Sequence, residues 1–162
     1  KIVISTGVVT TLAGSSQGYT DATGTSARFY SPMGITTDAT NLYVGDYANN
    51  RIRKIVISTG VVTTLAGSSQ GYTDATGTSA RFYSPMGITT DATNLYVGDY
   101  ANNRIRKIVI STGVVTTLAG SSGGYTDATG TSARFNQPMG ITTDGTNLYV
   151  VDYGNNRIRK IE

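Results

Sequence analysis

Carboxylates, guanidinium groups and phenols are the side chains through which this chain could do chemistry, because its 162 residues include no histidine and no cysteine. Histidine is the commonest general base and metal ligand, and cysteine supplies thiolate nucleophiles, zinc-thiolate sites and disulfides. Their absence excludes most hydrolase and metalloenzyme constellations. No acid, base and nucleophile converge in any part of the sequence, so we predict no catalytic residue, no metal site and no cofactor.

One carboxylate, Asp46, lies just before a tight Asn49-Asn50 turn and could act as a general base or a metal ligand. A single carboxylate without further acidic ligands makes a poor metal site. A buried charge needs a partner, so we interpret this aspartate as a structural residue that ties the turn and pairs with Arg51 or Arg53. The structural-turn residues predicted in this way are Asp46, Arg51, Asp99, Arg104, Asp152 and Arg157.

Tyrosine, arginine, asparagine and aspartate recur in a long linker and a short turn, and they could form a binding face. Aromatic rings, amides and guanidinium groups on loops suit a peptide, glycan or RNA ligand. The same segments could instead be scaffolding, with Tyr19 and Phe29 packing the linker and Asp21 and Thr25 bonding its own amides. The candidate ligand-face residues are Tyr19, Asp21, Arg28, Tyr30, Tyr47, Asn49, Asn50, Tyr72, Asp74, Arg81, Tyr83, Tyr100, Asn102, Asn103, Tyr125, Asp127, Arg134, Tyr153, Asn155 and Asn156.

The charge of the chain does not favour a dedicated nucleic-acid binder. There are 13 Lys and Arg against 10 Asp and Glu, which gives a formal net charge of +3 spread evenly along the sequence. We expect Arg51, Arg53 and Lys54 to gather on one side of a strand. Nucleic-acid binders usually concentrate more positive charge than this, so a nucleic-acid partner is not the first expectation, although it stays open.

An internal repeat of 53 residues organises the whole chain. Residues 1–53 and 54–106 are identical, residues 107–159 form a third copy, and residues 160–162 begin a fourth. Identity of two copies indicates recent amplification or engineering, and a repeat of this kind buries its apolar surface only against neighbouring repeats. The third copy differs at six positions, where Gln17, Tyr30, Ser31, Ala39, Gly45 and Ala48 are replaced by Gly123, Asn136, Gln137, Gly145, Val151 and Gly154.

Each copy contains four short runs rich in β-branched and aromatic residues, which we predict to be strands at 34–37, 42–46, 51–57 and 61–65. Asn, Asp and Gly fill the short connections, which force neighbouring strands to be antiparallel. A long linker, 66–84, leads to Pro85, whose missing N–H suits the start of the next copy's first strand. No apolar pattern of helical period occurs.

Consecutive apolar residues such as Ile55, Val56 and Ile57 indicate sheets that are covered on both faces. Four-stranded antiparallel sheets stacked face to face around an axis meet this requirement, and that architecture is the β-propeller. The sequence therefore predicts an all-β fold in which residues 1–162 form one unit of three four-stranded blades.

Four motifs in each copy resemble the NHL repeat. They are PMGI at 32–35, NLYV at 41–44 followed by Asp46, NNRIRKI at 49–55 and VTTLAG at 62–67. The resemblance covers essentially the whole chain three times and implies a propeller that is usually six-bladed. It also raises RNA as a ligand, because some NHL propellers bind RNA through a basic face. Zinc enzymes of the wider family use histidine ligands, which this chain lacks.

Three blades cannot close such a ring, and bare blade faces and strand edges favour association. Residues 8–12 form an outer strand without a blade of its own, and residues 157–161 form a third strand without an outer partner. We therefore expect the two segments to pair between chains in a homodimeric six-bladed ring, while a nine-bladed trimer follows the same logic. The predicted assembly residues are Val8, Val9, Thr10, Thr11, Leu12, Arg157, Ile158, Arg159, Lys160 and Ile161.

The sequence thus predicts a non-catalytic β-propeller scaffold or interaction module that assembles with itself. The alternative is a ligand-binding propeller that uses the Tyr, Arg and Asn face. No stretch of 18 apolar residues predicts a membrane span, the first residues lack the pattern of a signal peptide, and the start at Lys1 suggests a processed piece or a fragment. The composition is compatible with an extracellular bacterial protein and with a cytoplasmic one.

Overall fold

The computed structural model describes residues 2–162, which form thirteen β-strands and six single turns of 3₁₀ helix. The strands are β1 Ile2–Val3, β2 Val8–Val9, β3 Pro32–Thr37, β4 Asn41–Asp46, β5 Arg51–Val56, β6 Val62–Ala66, β7 Pro85–Thr90, β8 Asn94–Asp99, β9 Arg104–Val109, β10 Val115–Ala119, β11 Pro138–Thr143, β12 Leu148–Asp152 and β13 Arg157–Ile161. The 3₁₀ turns are Gly24–Ser26, Tyr47–Asn49, Gly77–Ser79, Tyr100–Asn102, Gly130–Ser132 and Tyr153–Asn155. Within the same residues no helix has the length and apolarity needed to cross a membrane.

Three antiparallel meanders form the body of the molecule. Blade one contains β3 to β6 and blade two contains β7 to β10, each in sequential order, whereas blade three contains only β11, β12 and β13. The blades meet through their first strands, with β3 against β7 and β7 against β11. The predicted all-β fold of antiparallel blades is confirmed, and within residues 2–162 blade three has three strands where blades one and two have four.

The N-terminal residues form a small hairpin of β1 and β2. Its register pairs Ile2 with Val9, as Ile55 pairs with Val62 in blade one. The hairpin is therefore a copy of the outer edge of a blade. Its second strand ends at Val9 instead of extending over the predicted 8–12, because β1 reproduces only the end of a strand that in blade one reaches back to residue 51. Lys1 lies outside the described residues.

The apolar core lies between blades as well as within them. Ile52 of β5 is fully buried and packs in one cluster with Phe82 and Leu95 of blade two. Ile105 of β9 is likewise fully buried and packs in a second cluster with Phe135 of blade three. This arrangement explains the consecutive apolar residues of the third strand, since each blade is covered on one face by its neighbour.

Candidate functional site

A buried arginine joins three parts of each blade. The guanidinium group of Arg53 is fully buried, with Nη1 at 2.8 Å from Asp46 Oδ2 and Nη2 at 2.6 Å from Asp21 Oδ1. It also donates to the backbone carbonyl oxygens of Arg28 and Thr20 in the linker of the first copy, residues 13–31, which is equivalent to 66–84. Two carboxylates and two carbonyls thus compensate the buried positive charge, and the linker is fixed to the blade. Arg106 and Arg159 make the equivalent bonds in blades two and three.

Of the two partners predicted for Asp46, Arg51 and Arg53, the structure selects Arg53. Asp46 forms its ion pair with Arg53, while the guanidinium carbon of Arg51 lies 4.4 Å from the ring centre of Tyr19. The same cation–π contact recurs between Arg104 and Tyr72 and between Arg157 and Tyr125. Arginine stacks readily on aromatic faces, so this contact holds the exposed tyrosine of the linker against the blade.

The predicted gathering of Arg51, Arg53 and Lys54 on one side of β5 is also wrong. Arg53 is inside the blade, Arg51 lies over an aromatic ring, and Lys54 is only partly buried. Successive side chains of a strand point to opposite faces, which places Lys54 opposite the two arginines. The third strand therefore contributes little free positive charge to a nucleic-acid surface.

The linker and the turn between the second and third strands meet, as the antiparallel topology predicts. Asn49 donates from Nδ2 to the carbonyl oxygen of Gly18 at 2.6 Å and to Asp46 Oδ2 at 2.9 Å. The backbone N–H of Tyr30 donates to Asp46 Oδ1 at 2.8 Å. Most amides and carboxylates of the candidate ligand face are thus engaged in holding the linker on the turn, and Asn102 and Asn155 make the same bonds.

Asp21 joins the linker to the outer strand, a contact that sequence reasoning missed. Its carboxylate accepts from the Thr64 backbone N–H at 2.9 Å and from the Thr64 hydroxyl at 3.0 Å. We predicted that Asp21 would bond amides of its own linker, and this was wrong. No local pattern could reveal the bond, because its partners lie 43 residues apart in the chain.

Several predicted face residues remain available at the surface. The tyrosines Tyr19, Tyr72 and Tyr125 are 60%, 60% and 63% exposed. Arg28, Arg81 and Arg134 are exposed, and within residues 2–162 none of them forms an ion pair. Of the remaining tyrosines, Tyr30, Tyr83 and Tyr153 are exposed, and Tyr47 and Tyr100 are half-buried. Each blade therefore presents aromatic surface next to an unpaired guanidinium group.

The turn between the first two strands of each blade contains an Asp-Asn-Tyr cluster. Asp38 accepts bonds from the Asn41 backbone N–H and the Tyr43 hydroxyl, both at 2.7 Å. Desolvation acts to raise the pKa of Asp38, but the bonds from Tyr43, Asn41 and Thr40 outweigh it and lower that pKa from 3.8 to about 2. Desolvation, followed by the bond to Asp38, raises the pKa of Tyr43. The cluster stabilises an ionised aspartate in a turn, and within the described residues no acidic side chains converge into a metal site.

Blade one has a bare apolar face. Met33 and Ile35 of β3 are 53% and 61% exposed, whereas their counterparts Met86 and Ile88 in blade two are 9% and 6% exposed. This face forms a groove of 680 Å³. Its lining includes Leu12, Phe29, Met33, Ile35, Leu42 and Val44.

Apolar side chains of β13, near the C-terminus, and of β2, near the N-terminus, are also exposed to solvent. Ile158 of β13 is 72% exposed, while its counterpart Ile105 is fully buried. Val9 of β2 is 71% exposed, while its counterpart Val62 is 1% exposed. The predicted assembly residues therefore include two side chains that are exposed here and buried at the equivalent positions of other repeats.

In the part of the chain that the structure describes, no strand pairs with the outer edge of β13, whereas β6 and β10 pair with β5 and β9. In blade one, Val62 N–H donates to Ala22 carbonyl oxygen at 2.8 Å and Gly24 N–H donates to Gly60 carbonyl oxygen at 2.8 Å. In blade three, the equivalent residues Ala128 and Gly130 instead line a cavity of 340 Å³ beside β13. The Asp127 side chain is 91% exposed, against 44% for Asp21.

Comparisons with known proteins agree with this architecture. No protein-family model matches the chain. It is 30% identical over 154 residues to the human (Homo sapiens) NHL repeat-containing protein 2, covering 84% of this chain and 21% of the relative. The chain thus spans about a fifth of the length of this curated relative.

Solved structures with a similar fold include propeller-like proteins of different activities. An auxiliary nutrient binding protein from Bacteroides ovatus has a TM-score of 0.73 at 25% identity, over 86% of this chain and 39% of that one. A catalytically inactive virginiamycin B lyase from Staphylococcus aureus has a TM-score of 0.53 at 23% identity, over 81% and 38%. Three repeated antiparallel blades define a β-propeller module. The chain belongs to the NHL-repeat family of β-propellers.

Proposed function

We propose that this chain is a non-catalytic β-propeller scaffold that assembles with a second copy of itself into a six-bladed ring. The observation that carries the proposal is the match between its uncovered surfaces and its own internal joints. Four apolar side chains that are bare at the ends of the chain, Val9, Met33, Ile35 and Ile158, have the buried counterparts Val62, Met86, Ile88 and Ile105 inside the chain. Six blades are proposed because this is the usual number in NHL propellers.

The apolar part of the joint follows from the repeat. Ile52 and Ile105 are buried against the next blade along the chain. By the same relation, Ile158 of one copy would enter the groove beside Phe29 and Leu42 of the second copy. Fully burying an isoleucine contributes about 1.5–3 kcal/mol, and Met33 and Ile35 would be covered in the same step.

The polar part of the joint is strand addition at the empty edge of blade three. Gly7, Val9 and Thr11 are the counterparts of Gly60, Val62 and Thr64. They would offer a carbonyl oxygen to Gly130 N–H, an N–H to the Ala128 carbonyl oxygen, and an N–H with a hydroxyl to Asp127. These bonds repeat those seen in blades one and two and would complete a fourth strand by β-augmentation.

Two internal bonds between neighbouring blades support the same joint. The N–H of Ser84 donates to Asn50 Oδ1 at 2.9 Å, and the N–H of Gln137 donates to Asn103 Oδ1 at 2.8 Å. Asn156 stands in the position of these asparagines, and Ser31 in that of Ser84. The second copy would supply the Ser31 N–H, so the joint between copies would be built from the same kinds of contact as the joints within the chain.

Solution mass tests the proposal directly. Sedimentation equilibrium and light scattering should give twice the 17.0 kDa of one chain at micromolar concentration. Three times that mass would instead indicate the nine-bladed trimer. A stable, folded species of 17.0 kDa would overturn the proposal.

Two variants separate assembly from folding. Ile158→Asp places a charge on a side chain that is exposed in the single chain, so it should yield a folded monomer. Removing residues 1–14 should also abolish assembly, because it deletes the strand that is exchanged. The exposed substitution Thr25→Ala is the matched control and should leave the mass unchanged. An unchanged mass for both of the other variants would contradict strand exchange.

A ligand-binding role on the Tyr and Arg face is a second candidate. It is favoured by the exposed, unpaired guanidinium groups of Arg28, Arg81 and Arg134 and by the fold shared with a nutrient binding protein. RNA, a glycan or a peptide would suit these groups. Replacing all three arginines by glutamine should abolish binding to RNA in filter assays at low salt, or to glycans and peptides on arrays, without changing the mass. No binding by the unaltered chain would exclude this candidate.

A further inference from the structure

Neighbouring blades approach each other most closely at a glycine of the second strand. A Cβ atom placed on Gly45 would lie 3.0 Å from the carbonyl oxygen of Pro85 in blade two. A Cβ atom on Gly98 would lie 2.8 Å from the carbonyl oxygen of Pro138 in blade three. Both contacts are with backbone atoms of a strand, which cannot rotate away as a side chain does. The two joints within the chain therefore depend on glycine at this position.

The third copy has Val151 at this position. Val151 lies on β12 opposite Ile158, and 41% of it is exposed on the face that would receive the next blade. Its Cγ2 atom lies 3.2 Å from the Cβ position of Gly140. In the internal joints the equivalent space beside Gly34 and Gly87 is taken by carbonyl oxygens of the following blade, Met86 O at 2.2 Å and Met139 O at 2.0 Å.

A joint with the internal geometry would thus bring backbone carbonyls against the Val151 side chain. A second pair of changes in the same copy shows how such a conflict is otherwise resolved. In the third copy Asn136 replaces Tyr30 and Gly154 replaces Ala48. A Cβ atom on Gly154 would lie 2.6 Å from the side chain of Asn136, so the change to asparagine is accompanied by the loss of the alanine methyl group. Within the described residues no comparable change accompanies Val151.

We infer that Val151 limits the affinity of the joint between copies, because it makes this joint wider and weaker than the two joints within the chain. The inference rests on the proposed ring. Blade three can still offer Ile158 and the vacant strand edge to a second copy, but its second strand cannot seat as closely as those of blades one and two. Association between copies is therefore more reversible than the stacking of blades inside one chain.

The substitution Val151→Gly tests the inference. It restores the residue of the first two copies, and the dimer dissociation constant measured by sedimentation should fall by about a hundredfold, which is about tenfold for each of the two joints of the ring. Gly145→Ala is the matched control, because it also restores a residue of the first two copies but lies in an exposed turn. It should leave the dissociation constant unchanged. Gly98→Val places the same side chain in an internal joint and should lower the melting temperature of the chain.

The outcomes separate the inference from the proposed ring. If the unaltered chain is a dimer and Val151→Gly does not tighten it, the inference is overturned and the ring stands. If the unaltered chain is a monomer and Val151→Gly dimerises, the inference is supported and the ring fails for the unaltered chain. If both remain monomers, both are overturned. A melting temperature unaffected by Gly98→Val would also overturn the inference, since close approach would then be unnecessary.

Discussion

The first two repeats have the same sequence but different surroundings. Ile35 is 61% exposed in blade one, and Ile88, the same residue of the same repeat, is 6% exposed in blade two. The difference comes only from the presence of a preceding blade, because every residue within the repeat is the same. A blade therefore does not complete its own core. Its inner apolar residues become core only when another blade covers them.

Contacts inside a repeat do not share this dependence. The ion pairs Asp46–Arg53 and Asp99–Arg106 both measure 2.8 Å, and all four side chains are fully buried. Each repeat therefore carries two sets of interactions. One set fixes the linker on its own blade wherever the blade stands, and the other joins blade to blade and depends on a neighbour.

The largest effect is expected from the first set. Asp46→Asn and Asp99→Asn each leave a buried guanidinium group short of a charge partner, and each should lower the free energy of unfolding by about 3–5 kcal/mol. The two losses should be equal, because the ion pair is internal to the repeat. Urea denaturation in the Ile158→Asp background, which is expected to be monomeric, measures both. Losses that differ by more than about 1 kcal/mol would show that this ion pair also depends on the neighbouring blade.

Substitutions in the second set, the contacts between blades, should have different effects on the unfolding free energy in the two repeats. Ile88→Ala removes a buried side chain and should cost about 2–5 kcal/mol of unfolding free energy. Ile35→Ala removes an exposed one and should cost no more than about 0.5 kcal/mol in the Ile158→Asp background.

In the chain without Ile158→Asp, Ile35→Ala should instead weaken the association of copies, because Ile35 would be buried there. Equal losses of unfolding free energy for Ile35→Ala and Ile88→Ala in the monomer would contradict the claim that the neighbouring blade alone makes Ile88 part of the core. Concentration-dependent sedimentation supplies the second measurement.

The fold could be predicted from the sequence because its signals are local and repeated three times. β-Branched runs end at Asn, Asp and Gly turns, and Pro32, Pro85 and Pro138 begin the first strand of each blade as expected. These signals fix strand positions and antiparallel order. The antiparallel order in turn predicts that the linker and the turn between the second and third strands lie on the same side of the blade.

The partners of individual side chains could not be predicted in the same way. Arg51 and Arg53 are two residues apart on one strand, and Asp46 pairs with Arg53 although the register places it directly opposite Arg51. Asp21 bonds Thr64 through the packing of the linker over the outer strand. Val151 is an ordinary strand residue in the sequence, and its significance comes from carbonyl oxygens of another blade. Contacts of this kind depend on tertiary distances.

The smallest predicted effect concerns stability at acid pH, for which blades one and two should not differ. The pKa values of Asp38 and Asp91 are both lowered from 3.8 to about 2. Since the unfolded chain binds protons before the folded chain does, each aspartate stabilises the fold above about pH 4, and this contribution is lost as the pH falls toward 2. Stability should therefore rise with pH between 2 and 4, in both blades alike.

Tyr43→Phe and Tyr96→Phe remove hydroxyl groups that donate to these aspartates at 2.7 Å and 2.9 Å. Each substitution should raise the aspartate pKa and flatten the rise in stability, with a loss of about 0.5–1 kcal/mol at pH 5, because the carboxylates are partly solvated. Urea denaturation at pH 2, 3, 4 and 5 measures the slope, and Tyr47→Phe is the control. A flattened slope for only one of the two variants would mean that the turn cluster responds to the neighbouring blade, and the separation into two sets of interactions would then fail.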